Sequence, residues 1–169
     1  PTPKTFEVLH YNAGHYTNVH LNPIAVSSEA NIVTLNDYGP AFSGYNSMFD
    51  ARMDDSGIRN VAPKEFQTTV ISVDEYVLQR NLAPDFVKID AESAEYEILK
   101  GMDQTLREFR PIVSVEVGDL DIEGVLPCKD LVSYIIGKGY RAFEFTAGRI
   151  KEHTLRGRYE YDNILFLPE

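Results

Sequence analysis

The chain has 169 residues, a net charge of −10 and 43% hydrophobic residues. That acidic balance excludes a nucleic-acid backbone as the main partner, because phosphate binding needs concentrated Lys and Arg. No apolar run approaches a membrane span, no signal-peptide core opens the chain, and the single cysteine, Cys128, excludes an internal disulfide.

The length suits one globular domain over residues 1–169, able to bury roughly 70% of its unfolded surface, and the cytoplasm is the default compartment. Thr2-Pro3 predicts a helix start, a hydroxyl cap before a proline pre-set for the first turn. Phe6, Leu9 and Ala13 can share a face, and Asn12-Ala13-Gly14 is the stop. Val19 to Val26 and Asn31 to Leu35 read as strands. Asn36 to Asp55 has no periodicity and reads as a surface loop, long enough to be a functional lid or a plain insertion. Thr68 to Ser72 is a short strand, and Ser72-Val73-Asp74-Glu75 is a capping box that opens a helix over Val73 to Arg80.

The central stretch runs from Pro84 to Glu116. Phe86-Val87-Lys88-Ile89 is a short apolar run ending in Asp90 and Glu92; a helix follows; then Pro111-Ile112-Val113-Ser114-Val115 ends in Glu116. This is a βαβ unit, with both strands expected to be buried on both faces of a parallel sheet. Ala94, Ile98 and Leu99 point inward, Gly101 ends the first helix, and Asp103 caps a second reaching Phe109. Leu131, Tyr134, Ile135 and Ile136 mark another helix, stopped by Gly137-Lys138-Gly139. Tyr140 to Thr146 and Tyr161 to Leu167 are the last strands, joined by a charged, solvated loop that includes Arg149 to Arg158. Alternating strands and helices without repeats make the class α/β.

Lys88-Ile89-Asp90-Ala91-Glu92, then Glu95, Leu99, Lys100-Gly101, Arg110-Pro111 and Glu116, resembles the signature of FkbM-type methyltransferases. Weaker matches run from Pro1-Thr2-Pro3 through Ala25 to Asn163-Ile164-Leu165-Phe166. The family pattern has a glycine where Ser93 stands, a departure that stiffens the turn into the helix. The resemblance implies a Rossmann-like class I sheet, mostly parallel with an antiparallel C-terminal strand. It implies S-adenosylmethionine as cofactor and a small-molecule hydroxyl, such as a sugar or polyketide, as acceptor. It places Ala25 near the adenine and Asp90 near the methionine end.

No glycine cluster follows an early strand, where an adenine cofactor is ordinarily cradled. The resemblance begins after the first strands and their glycine-rich loop, so the domain is expected to be N-terminally truncated and its cofactor affinity reduced. A gap should then separate the Val19 strand from the Phe86 strand and leave an apolar edge on the latter.

Methyl transfer is an in-line displacement on a sulfonium, so the protein is asked for orientation and a proton acceptor rather than an acid. Asp90 and Glu92 are the candidate catalytic residues; the structural alternative is that they close the strand and supply charge to a helix N-terminus. Lys88 in such a strand needs a partner, with Asp90 or Glu116 available. Asp90, Glu92 and Glu116 could offer oxygen ligands to Mg²⁺, but carboxylates at strand ends are common without a metal and none is assigned. His10, His15, His20 and His153 lack zinc-site spacing. Cys128 follows Pro127 at a helix start, where a thiolate would be stabilised, yet no His partner is evident and it reads as a plain thiol. Two other readings stay open: a nicotinamide-dependent oxidoreductase, for which Gly-x-Gly-x-x-Gly is wanting, and a non-catalytic interaction module.

Overall fold

The computed structural model describes residues 1–49 and 61–169 and places their strands in two sheets. The first holds β1 (Ala25–Val26), β2 (Asn31–Asp37) and β3 (Lys64–Ile71), in the order β1-β3-β2. The second holds β4 (Phe86–Ile89), β5 (Ile112–Val117), β6 (Tyr140–Thr146), β7 (Arg149–Glu152) and β8 (Asp162–Pro168), in the order β4-β5-β8-β6-β7. The helices are α1 (Pro3–Ala13), α2 (Val73–Arg80), α3 (Glu95–Lys100), α4 (Asp103–Glu108) and α5 (Cys128–Gly137). Among the described residues no helix is long and apolar enough to cross a membrane.

The βαβ unit is present as expected. β4 and β5 are adjacent and parallel, with Phe86 opposite Ile112 and Ile89 opposite Val115, and α3 and α4 connect them. Among the described residues the sheets are mixed rather than mostly parallel. Among the described ladders only β1–β3 and β4–β5 are parallel; β2–β3, β5–β8, β6–β8 and β6–β7 are antiparallel. The last of these is a hairpin that the sequence hides inside its charged loop. Ala147 and Gly148 both take positive φ, 51° and 75°, the two-residue turn whose twist matches antiparallel strands.

The break between the early strands and Phe86 is also present, since β1 and β4 lie in different sheets. β4 is therefore an edge strand, and the expectation that it is buried on both faces fails. Phe86 is 55% exposed, and Lys88 lies on the same open face. β1 is shorter than the expected Val19–Val26 strand. Pro23 has no N–H to give to a ladder, and pairing begins only where Ala25 meets Val70.

The main core fills the space between the second sheet and α3, α4 and α5. Leu99, Met102, Leu106, Val115, Ile135 and Phe166 are fully enclosed there, each worth about 1.5–3 kcal/mol of burial. Helix ends follow the sequence signals in part. Ser72 accepts a bond from the Glu75 amide at 3.1 Å, the N-cap half of the expected capping box, while the Glu75 carboxylate accepts from Gln79 instead. Thr2 makes no cap bond to α1; its Oγ1 accepts instead from Asn46 Nδ2 at 3.3 Å. Phe6 and Ala13 are half-buried but Leu9 is exposed, so the apolar face expected on α1 is only partly covered. Asp103 does not cap α4 either. Asp74, reaching over from α2, accepts from the Gln104 and Thr105 amides and the Thr105 hydroxyl, while Asp103 pairs with Lys138 and Tyr134.

Gly101 has a second role besides ending α3. A Cβ there would run into the Ser27 carbonyl and sit 3.0 Å from the Ser28 Cα, both backbone atoms that cannot swing aside. Gly101→Ala should therefore destabilise the fold by about 1–3 kcal/mol, the usual cost of overpacking. Chemical denaturation should show it as a lower midpoint with an unchanged slope. An unaltered midpoint would mean the 27–28 segment is free to move.

Candidate functional site

Beyond the ends of β1 and β4 lies a cavity of about 340 Å³, lined by the start of α1, the β1 residues, the 43–48 segment and the turn after β4. Ala25, Val26, Leu35, Met48 and Ala94 make most of its wall apolar, and Asp90 and Glu92 give it an acidic end. The sequence places Asn36–Asp55 in a loop. Its described part extends β2 to Asp37, makes a 3-10 turn over Pro40–Tyr45 and bridges back through Ser47 to Asn36. Ser43, Gly44, Asn46, Ser47 and Met48 line the cavity from there. Residues 50–55 of the expected loop lie outside the described residues.

The turn that carries the acidic residues is strained. Glu92 and Ser93 follow one another with φ of 48° and 78°, the left-handed region that costs a non-glycine residue on the order of 1–3 kcal/mol. Two side-chain bonds hold it. The Glu95 carboxylate accepts the Ala91 amide at 2.8 Å from within the fold, and the Ser47 hydroxyl donates to the Glu92 carbonyl at 2.6 Å. Glu95 is buried, and burial pushes its carboxyl up, against the backbone donors that favour the charged form. Glu92 stands three residues before the first helical residue, and the acidic residues of the first turn of α3 are Glu95 and Glu97.

This turn brings Asp90 and Glu92 to Glu116 at the end of β5, with a carboxylate oxygen of each within 4.8 Å of the others. Such spacing would fit a divalent cation, but acidic groups this exposed are common without one and no metal role is assigned. The crowding changes their acidity. Burial first, then the charges of Glu116, Asp90 and Glu95, push Glu92 up to about 7. Burial and Asp90 also raise Glu116, opposed by the Tyr161 hydroxyl, which donates to it at 2.8 Å. That same bond pushes the Tyr161 phenol well above its ordinary range. Asp90 pairs with Lys88 at 3.3 Å on the open edge of β4, where both side chains are 40% or more exposed. Lys88 is thus paired but not buried, contrary to expectation.

Ala25, Asp90 and Glu92 all line the one cavity. Sequence reasoning gave Glu116 no role beyond that of a motif residue and possible pairing or metal partner, quoted Glu95 in the motif without a role, and missed Tyr161 and Ser47. Tyr161 reaches Glu116 only because β8 inserts beside β5, pairing Asp162 with Val117; no local pattern announces that.

Two other candidates resolve as structural. Cys128 is buried at the start of α5, its sulfur accepting the Gly118 amide; burial and Asp119 push the thiol up to about 12, so the helix start does not make it a thiolate. His153 lies buried, with Nδ1 2.9 Å from Glu144 and Nε2 2.8 Å from the Tyr159 hydroxyl. The Arg156 amide donates to that same hydroxyl at 3.2 Å. The segment read as a solvated loop is therefore a folded corner.

Residues 1–142 match the family model described as the methyltransferase FkbM domain. The crystal structure of methyltransferase FkbM from Methylobacillus flagellatus KT aligns with a TM-score of 0.50 at 15% identity, over 94% of this chain and 31% of that one. That is a likeness of fold, and this chain spans about a third of that protein's length. No curated protein matches the sequence.

Proposed function

The chain belongs to the FkbM methyltransferase domain family, and from that premise we propose that it transfers a methyl group from S-adenosylmethionine to a hydroxyl oxygen of a small acceptor, such as a sugar or polyketide. The observation that carries this reading is the cavity, apolar around Ala25 and acidic at Asp90 and Glu92. Its apolar end suits a flat adenine ring, and its carboxylates suit a ligand whose other end is cationic. When bound, that cofactor supplies a methyl group on a positively charged sulfur, already primed to leave.

The chain's own residues have two tasks. Asp90, ion-paired to Lys88 at the rim, orients the positive end; holding two reactants in line is worth up to ~7–11 kcal/mol of barrier. Glu92, with its carboxyl at about 7, is poised at neutral pH to take the acceptor's hydroxyl proton. The nicotinamide-dependent and non-catalytic readings are not favoured by the family match.

The test is calorimetric titration of the full-length protein with S-adenosylmethionine, followed by transfer of a labelled methyl group to a panel of hydroxyl compounds. Saturable binding, competed by S-adenosylhomocysteine, is the expected result. A folded protein that binds neither would overturn the reading.

A further inference from the structure

The cavity-lining 43–48 segment and the acidic turn are joined by one side chain. Ser47 is only 6% exposed. Its hydroxyl donates to the Glu92 carbonyl at 2.6 Å and accepts the Phe49 amide at 3.2 Å. The rest of the segment is fastened elsewhere: the Ser47 carbonyl accepts the Asn36 amide at 2.9 Å, and Asn46 accepts the Tyr38 amide at 2.8 Å while donating to Thr2. The segment thus has its own anchorage to β2, and the hydroxyl is the link it extends to the strained pair Glu92–Ser93.

We infer that Ser47 is a positioning residue: its hydroxyl latches the 43–48 segment onto the Glu92–Ser93 turn and so holds the Glu92 carboxylate beside Asp90 and Glu116. A turn with two successive left-handed non-glycine residues relaxes unless its surroundings over-determine it. Locally the Ala94 amide closes the turn onto the Ala91 carbonyl and Glu95 accepts the Ala91 amide; the Ser47 hydroxyl adds the tie from the 43–48 segment, at the Glu92 carbonyl itself. The wall of the cavity and the geometry of the proton acceptor are then one unit, so displacing the segment releases the carboxylate. The inference rests on Glu92 as the base only for its bearing on turnover; the latch itself is tested without a substrate.

The experiment follows the Glu92 side-chain carboxyl by carbon-13 NMR against pH. The groups facing it are Asp90, Glu116 and Glu95, with Lys88 beside Asp90 and Tyr161 behind Glu116. In the parent the midpoint should lie near 7. In Ser47→Ala it should fall by at least about one pH unit, a tenfold change in acidity, as the carboxylate leaves the cluster. Ser47→Thr keeps the hydroxyl and should titrate like the parent. Ser93→Gly removes the strain at the second residue, so the double variant Ser47→Ala/Ser93→Gly should recover most of the shift, and it supplies a folded background if Ser47→Ala alone is too unstable. A folded Ser47→Ala whose Glu92 titrates like the parent overturns the latch, as does a parent whose Glu92 titrates like an ordinary carboxylate. Failure to bind S-adenosylmethionine with the latch intact would instead count against the methyltransferase reading alone.

Discussion

Glu92→Gln is expected to lower turnover by about 10²–10⁴-fold, the range for loss of a general base. Gln keeps the shape of the side chain but cannot take a proton. In the parent, kcat/KM should rise through a limb centred near pH 7 as Glu92 loses its proton; in the variant that limb should vanish. Stability moves the other way. A carboxyl raised from 4.5 to about 7 binds its proton more tightly when folded, so its stabilising contribution is full below about 4.5 and is lost as pH rises through 7. The neutral amide is spared this loss. At pH 8 the variant should be the more stable, on the order of 1 kcal/mol once solvent screening at this half-exposed site is allowed for, and at pH 4 the two should agree. Less activity with more stability is the signature of a group held at functional cost. A variant with parental turnover and the parental pH limb would remove Glu92 from the chemistry.

The sequence was most legible where the signal is local and periodic. The capping box at Ser72 gave the exact limits of α2, and the apolar runs at Phe86 and Ile112 gave β4, β5 and their parallel pairing. It was least legible where partners come from far along the chain. Asp103 has the residue type and position of a cap, yet Asp74 does the capping because α2 packs against α4. Arg149 to Glu152 reads as charge, yet pairs as a strand because Ala147-Gly148 makes a tight turn. Lys88 reads as buried in an apolar strand, yet is open because that strand lies at an edge. The site shows the same division. Asp90, Glu92 and Glu116 stand in a motif, whereas Tyr161 and Ser47 join them only through the order of strands and one loop crossing.

Asp90→Asn is expected to cut turnover by roughly 10²-fold or more while leaving the fold nearly as stable as before. The stability half of this result follows from the edge position of β4. Were Lys88 buried, stripping its partner of charge would cost about 3–5 kcal/mol; with both side chains 40% or more exposed, the pair contributes about 0–1 kcal/mol. Lys88→Met on top of Asp90→Asn should consequently recover nothing. The activity half follows from two losses at the same place. The negative charge that faces the cationic ligand disappears, which should weaken S-adenosylmethionine binding as measured by calorimetry. The Asp90 charge is also one of the causes raising Glu92, so its removal should move the pH limb of the residual activity to lower pH. That displacement separates Asp90 from a bystander, because damage to the fold would lower the rate at every pH without moving the limb. An Asp90→Asn protein that turns over like the parent would end the catalytic assignment, and a loss of several kcal/mol on denaturation would show that the β4 edge is covered.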